Sequence, residues 1–308
     1  MNTEAYFRFG FIVLAAIVLA GCSKLKNESQ ATNPVFVYVH PEGFESPSSP
    51  NFHGIAIQNA GWEMRTCREC HGGTYAGENG VSCLSSGCHV DANGNPKSPE
   101  SCNTCHGSFA SPANDTLSWA PPRSIAGDTA ESIRGVGAHQ FHLNAAFMDL
   151  SNPLACNSCH EVPSSVYVAG HFDSPLPARV TFVNQLALTP SAGITPAPTY
   201  DAQSLQCNNT FCHGNWQLQK SNSQNSFAYS DSVMSGANFS PVWTGGDSQD
   251  ACGTCHGMPP AGHVNFGTSV SMCTSCHYLD PSKQSGPLDK SIHINGKIDL
   301  YGKEYNFR

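Results

Sequence analysis

The sequence predicts a mostly irregular, loop-rich fold with a few short α-helices, packed around something other than its own side chains. Three observations predict it. Charged residues are 12% of the 308 positions while glycine (28) and proline (21) are plentiful, and no apolar periodicity runs long enough for a conventional core. Fourteen of the 15 cysteines fall in seven motifs that end in Cys-His: Cys67–His71, Cys83–His89, Cys102–His106, Cys156–His160, Cys207–His213, Cys252–His256 and Cys273–His277. Those motifs use half of the 14 histidines.

Five motifs read Cys-x-x-Cys-His, and Cys83–His89 and Cys207–His213 read Cys-x-x-x-x-Cys-His. That spacing is the attachment site of a c-type haem, in which two thiols add to the porphyrin vinyl groups and the next residue gives its imidazole to iron. The thioether residues are then Cys67, Cys70, Cys83, Cys88, Cys102, Cys105, Cys156, Cys159, Cys207, Cys212, Cys252, Cys255, Cys273 and Cys276. The proximal ligands are His71, His89, His106, His160, His213, His256 and His277. Disulfide staples and tetrahedral zinc sites compete, but neither requires a histidine directly after every second cysteine. Seven covalently attached haems would form the core, each wrapped by a short segment. The longer motifs use small or turn-forming residues between their thiols. The alternative is that one such pair is unligated or disulfide-linked, leaving fewer haems.

The remaining histidines are His40, His53, His139, His142, His171, His263 and His293, again seven. One extra imidazole per haem closes the set, so these are the candidate distal ligands and all haems are expected to be bis-histidine. A methionine (Met64, Met148, Met234, Met258 or Met272) replacing one of them would raise that haem's potential.

From the N-terminus, residues 1–21 read as a lipoprotein signal peptide. The apolar run Phe11–Ala20 is too short to span a membrane comfortably, and Leu19-Ala20-Gly21-Cys22 resembles a bacterial lipobox with Cys22 as the lipidated residue. Residues 22–38 read as a polar tether. Residues 39–112 hold three motifs at close spacing, a compact trihaem cluster. Residues 113–240 form a central dihaem region and 241–308 a C-terminal dihaem region. Within them, Gly135–Leu150 is the best helix candidate. It sets His139 and His142 at i and i+3 on one face, so they should serve two neighbouring haems. Val180–Val183 suggests a short strand, and 214–240 a loop rich in Ser and Asn. Cys156–Pro163 followed by Gly170-His171 echoes Cys252–Pro259 followed by Gly262-His263, which leaves duplication open.

The formal charge is −8. Each ferric bis-histidine haem adds roughly −1 through its propionates. Such acidity disfavours nucleic acid and anionic lipid surfaces, and suits a basic partner or cationic metal species.

The combination resembles the multihaem c-type cytochromes of metal-reducing bacteria that mix Cys-x4-Cys-His with Cys-x-x-Cys-His sites. The residues that carry the likeness are Cys207–Gly214, Trp243–Gly246, Cys252–Pro260, Gly262-His263, Cys273–His277 and His293–Gly296. His40–Gly43, His53-Gly54, Cys67–Gly72 and Cys83–His89 are similar in style. The resemblance implies an electron carrier rather than an enzyme. It further implies electron transfer to or across the outer membrane in extracellular or metal-reducing respiration. The lipobox, with Ser23 rather than an aspartate after Cys22, points to a lipid anchor in that membrane, on its periplasmic or extracellular face. The implied partners are other c-type cytochromes or a porin–cytochrome complex. A reductase of nitrite or another small oxyanion is the rival reading, though no motif ends in Cys-Lys. A filament subunit is a third, with His40 or His53 reaching the haem of the next copy.

Overall fold

The computed structural model describes residues 40–77, 82–84, 87–119, 123–124, 127–146, 150–172, 178–183 and 185–307. The signal segment, Cys22, the tether, Met148, and Ser85 and Ser86 of the second motif lie outside those residues. Among the described residues no helix is long and apolar enough to cross a membrane. The chain divides into two units, Met1–Gly61 and Trp62–Arg308.

The described part of the first unit is a series of turns leading into helix α1 (His53–Asn59). The His40 ring stacks on Phe44 at 4.2 Å, and His53 Nδ1 bonds the Phe44 carbonyl at 3.0 Å.

The second unit is loop-rich, as expected. Its helices are single turns: α2 (Arg68–His71), α3 (Cys102–Cys105), α4 (His139–Leu143) and α5 (Val270–Thr274). With the 3₁₀ turns Cys156–Ser158 and Phe211–His213, such turns carry residues of five attachment motifs. Three antiparallel hairpins complete it. They pair β1 (Thr199–Asp201) with β2 (Gln206–Asn208), β3 (Gln217–Gln219) with β4 (Val233–Ser235), and β5 (Lys297–Leu300) with β6 (Lys303–Asn306).

Three sequence expectations are corrected. Among the described residues, the helix expected over Gly135–Leu150 is only α4, because the chain diverts its hydrogen bonds; residues 147–149 lie outside them. Asn144 turns extended, and the His142 carbonyl accepts from Leu154 N at 2.7 Å instead of continuing the helix. Val180–Val183 joins no sheet. Thr181 N bonds the Cys159 carbonyl at 2.8 Å, and Phe182 takes a left-handed φ of 48° while its ring is buried. The stretch 214–240 is not simply a loop, since β3 and β4 pair within it with Leu218 opposite Met234.

Those two side chains and Tyr229 form a small buried cluster, covered by Trp216, Ala228, Ile298 and Phe307. Only eleven hydrophobic residues are buried among those described. Side chains alone therefore make a modest core for a unit of this length.

Candidate metal centres

Nine histidines of the second unit share one local device. Nδ1 of His139, His142, His160, His171, His256, His263, His277 and His293 lies 2.6–3.0 Å from a backbone carbonyl. His106 Nδ1 likewise meets the Trp119 carbonyl. A carbonyl can only accept, so Nδ1 donates its proton and Nε2 keeps the lone pair. This is the tautomer a metal requires, with the ring orientation fixed from behind. Nδ1 of His213 differs, being buried with no hydrogen-bond partner.

Four motif histidines then each meet one specific second imidazole. Ring centres are 6.3 Å apart for His160 and His139, 6.4 Å for His213 and His142, 6.1 Å for His256 and His293, and 6.4 Å for His277 and His263. Two imidazoles bound on opposite sides of one metal, each nitrogen about 2.0–2.1 Å from it, put their ring centres about 6.3 Å apart. Burial depresses His106, and the His171 imidazole adds a smaller effect in the same direction. His40 and His53 belong to the first unit.

The donor set suits a porphyrin and not a bare ion. Among the described residues no three His, Cys, Asp or Glu side chains gather to hold a metal. Two imidazoles per site leave the remaining donors to be supplied by a macrocycle. The cysteines of every motif but Cys83–His89 are free thiols, so no disulfide joins those pairs. At the fifth motif a cleft is lined by Cys207, Cys212, His213, His142 and Trp243. Both thiols and both imidazoles of one site thus face a single space.

Burial tunes these groups towards binding. It lowers His139 and His213 to about 4, and also depresses His106, His142, His277 and His293, so the rings stay neutral. It raises Cys159 to about 11 and Cys207 and Cys212 to about 12. Such thiols stay protonated, which slows oxidation before haem is attached.

The sites adjoin in chain order from the fourth to the seventh. Cys159 is close enough to Cys207 and Cys212 to raise both, and Cys255 adds to Cys212. His256, His263 and His293 all act on His277. Gly214, directly after His213, shows how tightly the fifth and sixth sites meet. It takes a left-handed φ of 92°, and a Cβ there would lie 1.9 Å from the Cys255 carbonyl. Long-range bonds tie the same region together, from Cys207 N to the Pro241 carbonyl at 3.1 Å and from His293 to the Leu150 carbonyl at 2.7 Å.

The echo between the two Gly-His segments stops at local shape. Gly170 and Gly262 both take positive φ, but His171 meets the motif before its own segment and His263 the motif after it. A polar cluster that no motif announces holds the loop leading to His171. The Glu100 carboxylate accepts from Arg68, Tyr75 and Tyr167, and Arg65 lies 4.6 Å over the Tyr167 ring. Burial pushes Glu100 up, yet those donors outweigh it and hold the carboxyl below its ordinary range. The sequence carries no signal for the carbonyls behind the histidines, because any residue supplies one.

Paired thiols with an adjoining imidazole, repeated along a loop-rich chain, indicate covalently bound c-type haem. Residues 206–256 match the model of a family described as the Geobacter CxxxxCH...CXXCH motif, so the expected resemblance holds over that stretch. It runs from the start of β2 through Cys207–His213 to Cys252–His256. No curated protein and no solved structure matches the chain significantly.

Proposed function

We infer that the chain is a heptahaem c-type cytochrome, bis-histidine throughout, that conducts electrons at the outer membrane in extracellular or metal-reducing respiration. The observation that carries this reading is the recurring pair of imidazoles 6.1–6.4 Å apart. A haem iron with two imidazole ligands has no open position for substrate and cycles between ferric and ferrous states at low potential with little rearrangement. The chain's own part is to hold both rings still. Carbonyls behind Nδ1 hold the tautomer of nine of the rings, and the motif cysteines would tether the porphyrin edge. The adjoining fourth to seventh sites support a path through them in that order. Acidic charge suits basic partners, which we take to be other c-type cytochromes or a porin–cytochrome complex.

Two experiments test this reading. The mature protein should have an intact mass that includes seven porphyrins, and its ferric form only low-spin signals by electron paramagnetic resonance. A smaller mass or a substantial high-spin component refutes it. For the anchor, Cys22→Ala is expected to leave haem content intact and release the protein from the membrane fraction. Unchanged fractionation would remove the lipid from the account.

A further inference from the structure

Trp243 lies where two neighbouring sites meet. Its indole stands at 4.7 Å and 90° to the His139 ring, and at 5.9 Å and 26° to the His142 ring. Those histidines face different partners, His160 and His213. The indole is itself held on several sides. Nε1 donates to the Arg134 carbonyl at 2.9 Å, and the backbone N donates to the Leu205 carbonyl at 2.7 Å. Gly137, at a φ of 44°, has the ring so close that a Cβ would lie 2.0 Å from Nε1.

The two imidazole pairs differ sharply in the angle between their planes. It is 25° for His139 with His160 and 70° for His142 with His213. Nδ1 of each distal ring is anchored on α4 or the turn before it, at the Val136 and Ala138 carbonyls. One hydrogen bond leaves a ring free to swing about it. A flat neighbour pressed against the ring removes that freedom. Trp243 presents its face to His142 and meets His139 at a right angle, so one rigid group restrains both.

We propose that Trp243 is the positioning residue for two adjacent irons, its indole setting the planes of His139 and His142 together. The inference rests on the bis-imidazole reading above. In low-spin ferric haem, the angle between axial imidazole planes governs the splitting of the iron dxz and dyz orbitals. Near-parallel rings give a rhombic resonance, and near-perpendicular rings give one with a large maximum g value. The fourth site belongs to the first class and the fifth to the second.

The test is the resonance spectrum of ferric, fully loaded protein, with loading checked by intact mass, for Trp243→Leu and Trp243→Phe. In Trp243→Leu, one rhombic signal and one large-g signal should move together while the others stay. The flat ring of Trp243→Phe should bring both partway back. A fully loaded Trp243→Leu protein with the wild-type spectrum, or with only one signal moved, overturns the proposal. If that variant fails to fold, Trp243→Phe carries the test, because its smaller ring loosens the contact with both imidazoles. The same two signals must move there, and an unmoved pair overturns it. Failure of the bis-imidazole reading looks different, since high-spin signals would then appear in the unaltered protein.

Discussion

His142→Ala is expected to turn one haem of the ferric protein high-spin and let it bind carbon monoxide when reduced, with the intact mass still that of the fully loaded chain. The His142 ring lies 6.4 Å from His213 inside the cleft that also holds Cys207 and Cys212. Haem attachment uses the two thiols and His213, none of which the substitution touches. No second imidazole can take its place. His139 is a helical turn away, tied to the Val136 carbonyl and facing His160. The vacated position therefore fills with water or an added ligand, and a water-ligated ferric haem is high-spin. The effect should be confined to one haem among the set, which makes its size countable. An all-low-spin spectrum in the variant would assign His142 another role.

Replacing Cys207 and Cys212 together by serine should remove one porphyrin from the intact mass and destabilise the second unit by about 5 kcal/mol or more. That lies beyond the range of ordinary point substitutions. Burial raises both thiols to about 12, and the groups around them are walls of the same cleft. Emptying an apolar site in a chain with so few buried side chains leaves its lining without contacts. The loss should spread to the sixth site, because Gly214 packs on the Cys255 carbonyl and Ala237 N bonds that same carbonyl at 2.8 Å. Thermal unfolding followed by circular dichroism reads it. A variant lighter by one porphyrin but melting with the parent would show that this cofactor is not part of the core.

The polypeptide's local chemistry was the legible part. Thioether attachment needs thiols a few residues apart and an imidazole next to the second, so seven motifs can be read from spacing alone. The loop-rich fold was legible for a related reason, since glycine, proline and few charges deny the chain long elements. The hairpin β3–β4 was hidden because each strand is three residues long, shorter than any periodicity test. The length of α4 was hidden too, because what ends it is the carbonyl of His142 turning to Leu154. Glu100 escaped notice, as its three donors come from distant segments.

By itself the sequence determined which cysteines and histidines can grip a porphyrin, and that as many further imidazoles exist as sites to use them. It also determined that His139 and His142, three apart, would address different sites. The tertiary structure alone decided that His142 faces His213, that His293 faces His256, and that Trp243 touches the rings of two sites. The physical reason is distance along the chain. Attachment is a local bond whose geometry is written in adjacent residues, whereas the second imidazole arrives from well outside the motif. Its ring plane is set by backbone carbonyls, which every residue has, and by whichever flat neighbour the packing brings against it.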